Sequence, residues 1–264
     1  MHVACCQFDI AWEDRGVNFA RVRGMLAAAR LPPGTLVLLP EMFASGFSMN
    51  VAGIADDGET EAFLASCAAD LGLHLLAGLV TRAADGRGLN QAVVVAPDVG
   101  GPVARYTKLH PFSFGQEMRH YARGDDLALF SLAAAPACPV CPLICYDLRF
   151  PEVFRQAAMA GAKLFAVIAN WPAAREDHWV TLLRARAIEN QAYVAGVNRI
   201  GRDPGNAYAG RSMIIDPRGV VLADAGSGAG VIGAELELDA LEEYRRSFPA
   251  LADIHPAFLR PREG

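Results

Sequence analysis

Short apolar runs alternate with longer stretches of helical spacing along most of the chain. Met1 to Phe8 reads as an opening strand, and Asn18 to Arg30, with Val17 just before it, carries Val22, Met25 and Leu26 near helical spacing before Leu31-Pro32-Pro33-Gly34 stops it. Leu36 to Leu39 is a continuous apolar run too short for a helix and bounded by Gly34 and Pro40, the pattern of a buried strand. Thr60 to Leu71 returns to the helical period and ends at Gly72, and Leu73 to Thr81 is strand-like. Gln91 to Ala96 and Val103 to Thr107 flank a Gly-rich turn and predict a hairpin. Phe112 to Asp126 has no period and is expected to be a long surface loop.

The second half repeats the alternation. The strand Val140 to Cys145 contains Pro142, which removes a ladder donor and points to an edge or a bulge. Pro151 opens a helix that Gly161 closes. Strand Leu164 to Ala169, helix Ala174 to Gln191 and strand Tyr193 to Val197 follow, then a hairpin of Met213 to Asp216 with Val220 to Ala223, and a last strand from Val231 to Leu238. Strands alternating with helices, with hairpins inserted, predict an α/β fold with a mixed sheet in one domain over 1–264. From Leu241 onward the tail has no clear period and is expected to dock on its own body or on a partner subunit.

Composition narrows the function classes. A net charge of −5 without a long basic run argues against nucleic acid and anionic membranes as partners. No apolar stretch reaches the roughly 18 residues of a membrane span. Six scattered cysteines and no secretory leader suggest reduced thiols in the cytoplasm.

Three polar residues stand where apolar runs end. Cys145 closes an apolar run before Tyr146-Asp147-Leu148-Arg149; Glu41 follows the strand Leu36 to Leu39; Lys108 follows Val103 to Thr107. Each alone has a bland reading: a small buried hydrophobe, a solvated glutamate, an exposed lysine. As a set they supply a thiol nucleophile, a carboxylate base and a cation for a developing oxyanion. His110, His120 and His178 leave a Cys–His hydrolase open. Cys138-Pro139-Val140-Cys141 has redox or zinc spacing but no second ligand pair close by, and a non-catalytic binding protein is a further alternative. An ion pair of Arg149 with Asp147 or Glu152 is expected.

The segments LPEMF, YTKLHPF with GQEMRHYARGDD, and LICYDLRFPEVFR resemble the nitrilase superfamily of carbon–nitrogen hydrolases. The resemblance extends through Asn170-Trp171-Pro172 and RARAIENQAYVAGVNR to GRSMIIDPRG, and within the superfamily it is most like the omega-amidase branch. It implies a four-layer α-β-β-α sandwich with two mixed sheets. It also implies Cys145 as nucleophile, Glu41 as general base, Lys108 and the Tyr146 backbone N–H as oxyanion donors, and Glu117 as a second glutamate near the lysine.

The implied reaction hydrolyses a small amide to acid and ammonia through a thioester, without metal or organic cofactor, on 2-oxoglutaramate- or 2-oxosuccinamate-type monoamides. N-carbamoyl amines and nitriles are the other substrates within the superfamily. Phe43, Phe112, Trp171 and Tyr121 are candidate pocket walls. A homodimer or larger homo-oligomer is expected, with 241–264 at the subunit interface.

Overall fold

The computed structural model describes residues 1–133 and 135–255. Its strands are β1 (His2–Gln7), β2 (Leu36–Leu38), β3 (His74–Arg82), β4 (Gly88–Val95), β5 (Pro102–Thr107), β6 (Tyr121–Ala122), β7 (Phe130–Leu132), β8 (Ala135–Ile144), β9 (Leu164–Ala169), β10 (Tyr193–Asn198), β11 (Ile200–Arg202), β12 (Ala207–Ala209), β13 (Met213–Ile215), β14 (Val221–Asp224) and β15 (Gly230–Glu235). The α-helices are α1 (Arg15–Ala29), α2 (Val51–Ile54), α3 (Glu59–Leu71), α4 (Glu117–His120), α5 (Pro151–Met159), α6 (Glu176–Asn190) and α7 (Leu238–Ser247).

One sheet runs β15-β1-β2-β3-β4-β5, with β6 added on β4, and the other runs β14-β13-β10-β9-β8-β7. Both are mixed: β1, β2 and β3 pair in parallel, as do β8, β9 and β10, while the outer pairs are antiparallel except the short β6, which is parallel to β4.

Strand periodicity explains the layers. Val3, Cys5, Leu36 and Leu38 share a core with the second sheet, whereas Ala4, Cys6, Val37 and Leu39 pack with Val22 and Leu26 of α1 and Leu64 and Cys67 of α3. Successive side chains on a strand face opposite ways, so central strands buried on both faces read as unbroken apolar runs. Phe154 of α5 and Trp179 and Leu183 of α6 join the core of the second sheet. The result is the expected four-layer α-β-β-α sandwich.

Local chemistry sets the element ends. Asp14 accepts from the Val17 N–H at 3.0 Å to cap α1, Gly72 ends α3 at φ 65°, and Pro151 opens α5. Pro142 pairs with Ala166 of β9, while β7 meets β8 only at Val140 and Ala135. At Pro142, β8 is therefore an edge strand, where a missing donor leaves no ladder bond broken.

Two expectations differ from what is observed. The stretch Phe112 to Asp126 is not simply a surface loop: it folds into a 3-10 turn, α4 and β6, and buries Glu117 and Tyr121. The tail, expected to lack a clear period, is helical over Leu238–Ser247, and it docks on its own body, one of the two outcomes expected. Arg245 donates to Gln191 O at 2.9 Å and Ala162 O at 3.1 Å, and Gln191 donates back to Phe248 O at 2.8 Å. Residues 256–264 of the proposed interface tail lie outside the described residues. Among the described residues, no helix is long and apolar enough to cross a membrane.

Candidate active site

The two sheets each deliver strand ends to one place. Glu41 follows β2, Asn90 lies in β4 and Lys108 follows β5; from the other sheet, Cys145 follows β8 and Asn170 follows β9. Glu41 and Glu117 are fully buried and Lys108 is 1% exposed, so these charges have almost no water to solvate them. Lys108 Nζ lies 2.9 Å from Glu41 Oε1 and 2.9 and 3.1 Å from the two oxygens of Glu117. Asn90 Nδ2 bridges the carboxylates, donating to Glu41 at 2.7 Å and to Glu117 at 2.9 Å. The Asn170 backbone N–H supplies Glu41 Oε2 at 2.9 Å, and its side chain holds the Glu41 carbonyl at 2.6 Å. Buried charges persist when paired and hydrogen-bonded in this way.

Backbone strain accompanies the geometry. Cys145 sits at φ 48° and Met42, next to Glu41, at φ 46°; left-handed values at non-glycine residues cluster at functional sites. Cys145 does not continue β8 but starts a 3-10 turn, Cys145–Arg149. The buried Asp147 holds that turn. It accepts from the Ile144 N–H at 3.0 Å, the Tyr106 hydroxyl at 2.7 Å and the His110 N–H at 3.0 Å, and meets His110 Nδ1 at 2.8 Å. Glu41 is admitted by Gly78 of β3, where an added Cβ would lie 2.5 Å from Met42 N and 2.6 Å from Glu41 Cα.

Electrostatics follow from this packing. Burial pushes the Cys145 thiol well above its ordinary range, Glu41 pushes it further and Lys108 opposes. The lysine acts to lower the thiol pKa, as a neighbouring cation does, but burial and Glu41 outweigh it. Burial acts to lower Lys108, but Glu117 and Glu41 outweigh it and hold the ammonium well above its ordinary value. Burial raises Glu117, and Lys108 offsets part of that.

Cys145 and Lys108 open onto a cavity of about 480 Å³. Of the proposed walls, Tyr146, Phe112 and Trp171 line it, the Tyr146 ring lying 5.0 Å from that of Phe112. Phe43 does not: it is wholly buried against Phe19 and Phe63 beneath the first sheet. Tyr121 is also core, packing with Met42, Val51 and Ile54.

Arg149 forms neither expected ion pair. Asp147 is committed to Tyr106, His110 and Ile144, and the Arg149 guanidinium instead lies 4.8 Å over Trp171 on the cavity wall. None of His110, His120 and His178 lines the cavity, and Cys138 and Cys141 are free thiols buried in β8. Asn90, Gly78 and Arg175 were not expected; the one signal for Asn90 is the polar pair Asn90-Gln91 inside an otherwise apolar strand.

A cysteine-ended strand, a buried Glu–Lys–Glu cluster and an α-β-β-α sandwich define a class of enzyme that cleaves carbon–nitrogen bonds. The chain belongs to the carbon–nitrogen hydrolase family (nitrilase superfamily), whose pattern matches residues 2–246. It is 36% identical over 255 residues to a 2-oxoglutaramate amidase of Bacillus subtilis, covering 96% of both chains. To an omega-amidase of Escherichia coli K12 it is 38% identical over 258 residues, again covering 96% of each. A CN-hydrolase superfamily protein of Xanthomonas campestris, solved with an arsenic adduct in its active site, superposes with a TM-score of 0.89 at 34% identity over 97% of both chains. This chain is thus an amidase of the carbon–nitrogen hydrolase type acting on linear amides.

Proposed function

We propose that the enzyme is an omega-amidase that releases ammonia from a dicarboxylic monoamide such as 2-oxoglutaramate, with Cys145 as nucleophile. The observation that carries this reading is the convergence of Glu41, Lys108 and Cys145 from two sheets onto one cavity. The similarity to a 2-oxoglutaramate amidase of Bacillus subtilis and to an omega-amidase of Escherichia coli K12 supports the amide chosen.

The raised thiol pKa makes a neutral thiol the resting form. Glu41 takes the proton from Cys145 as sulfur attacks the amide carbon. The tetrahedral oxyanion is met by Lys108 and the Tyr146 backbone N–H. Lys108 has three protons and three carboxylate oxygens within 3.1 Å, and the longest of these contacts, to Glu117 Oε1, is the one the oxyanion shares or displaces. Glu41 returns the proton to the amide nitrogen, the C–N bond breaks, and ammonia leaves a thioester. Glu41 then deprotonates a water that attacks the thioester, and the acid departs as the thiol re-forms. Glu117 keeps Lys108 charged and in place.

Ammonia release from 2-oxoglutaramate, measured beside 2-oxosuccinamate, a nitrile and an N-carbamoyl amine, tests the substrate. Cys145→Ala is expected to abolish release, a fall of at least about 10⁴-fold, and retained turnover in that variant overturns the mechanism. The homodimer implied by the family resemblance and the cytoplasmic location suggested by the cysteines belong to the same reading, and light scattering that finds an active monomer refutes the dimer.

A further inference from the structure

The chemistry above uses one cation, Lys108, but the cavity wall carries two more, Arg149 and Arg175. Among the described residues neither is paired with a carboxylate, whereas neighbouring arginines are: Arg186 with Glu189, Arg199 with Asp9, Arg211 with Glu176 and Asp224. Arg149 is partly engaged, with Nη2 3.1 Å from His178 Nδ1. The Arg175 guanidinium makes no hydrogen bond to the described residues and rests 5.6 Å over the Phe112 ring.

The backbone of Arg175 is held in place. Its carbonyl accepts the Trp171 indole N–H at 2.7 Å and its N–H donates to Pro172 O at 3.0 Å. The side chain is thus a half-buried fork of donors, set on an aromatic face by a fixed backbone. Desolvating a guanidinium in a largely aromatic wall is costly unless an anion meets it. Asp203 is the one carboxylate on the wall among the described residues, and it is spent on the Gly205 and Asn206 N–H groups, at 2.8 and 2.7 Å, and on the Tyr208 hydroxyl.

We propose that Arg175, seated on Phe112, receives the distal carboxylate of the substrate and sets the preference for dicarboxylic monoamides over neutral amides. The inference rests on the amidase mechanism proposed above. A planar fork suits a carboxylate bidentately, and it anchors the end of the substrate away from the amide being attacked.

The test compares kcat/KM for glutaramate with that for pentanamide, its neutral analogue of equal chain length, by ammonia release. Arg175→Gln is expected to lower the glutaramate-to-pentanamide ratio roughly 10- to 150-fold, mainly through KM for glutaramate, and Arg175→Lys to restore part of it. Arg149→Gln is expected to lower the ratio less. A purely structural role for Arg175 lowers both substrates together. An Arg175→Gln ratio within about threefold of the parent, or a larger fall in Arg149→Gln, overturns the proposal. A parent enzyme that cleaves amides but does not favour glutaramate overturns the omega-amidase reading itself, separately from any variant.

Discussion

Of the three buried carboxylates near Cys145, the proposed nucleophile, Asp147 and Glu41 are used in opposite ways. Asp147 spends its oxygens on Ile144, Tyr106 and His110, groups of the turn and the strand end beside it, with no ammonium among its partners. Glu41 takes donors from both sheets, one of them the Lys108 ammonium, and its charge acts directly on the Cys145 thiol. A carboxylate saturated by local donors holds a shape; one shared between a cation and a thiol can also move a proton. Burial is the same for both, so burial alone does not distinguish a catalytic acid from a structural one.

Three experiments sharpen that contrast. The largest expected effect is that of Glu41→Gln, which keeps size and burial but cannot accept the proton: kcat is expected to fall about 10³- to 10⁴-fold, and steady-state ammonia release close to the parent rate would make Glu41 structural as well. Next comes Gly78→Ala, which adds no charge and removes none. Its methyl meets the Glu41 backbone, and the resulting displacement is expected to cost about 10²-fold in kcat; a crystal structure showing Glu41 unmoved, with full activity, would refute this.

The smallest effect separates the two acids most directly. Removing the negative charge of Glu41 removes a cause of the raised Cys145 pKa while Lys108 still pulls it down, so in Glu41→Gln the midpoint of site-resolved Cys145 alkylation moves to lower pH. The leading charges acting on that thiol are Glu41, Lys108 and Glu117. Asp147→Asn is expected to leave the midpoint in place and to lower unfolding stability by about 1–3 kcal/mol in urea melts, because an amide N–H₂ would face donors. A reversed pattern between the two variants would sink the distinction.

Much of the frame was legible in the sequence because it rests on local pattern. Leu36 to Leu39 and Leu164 to Ala169 are apolar without interruption because both faces of each strand are covered. Gly72 and Pro151 mark helix ends through backbone preference alone. Glu41, Lys108 and Cys145 were readable as polar residues at the ends of apolar runs.

What was not legible depends on partners distant in the chain. Glu117 lies in a stretch without period because the stretch is held by Lys108 and Asn90 rather than by its own propensity. Phe43 follows Glu41 closely, yet its side chain faces the helices and not the cavity. Arg149 was expected to pair within its own segment, but Tyr106 and His110, from the first sheet's side, already occupy Asp147. The helix over Leu238–Ser247 is sparse in apolar residues, Leu238, Leu241 and Tyr244 recurring at helical spacing among charged ones and only Leu241 being buried, so it does not stand out as an apolar run.

The bond from the Asn170 N–H to Glu41 spans 129 residues of chain. Glu41 belongs to one sheet and Asn170, like Cys145, to the other, so neither half of the chain contains the proposed base and nucleophile together. In a refolding experiment, recovery of turnover would therefore time the docking of one sheet on the other rather than the formation of either. The catalytic centre doubles as a clock for the last assembly step of the fold.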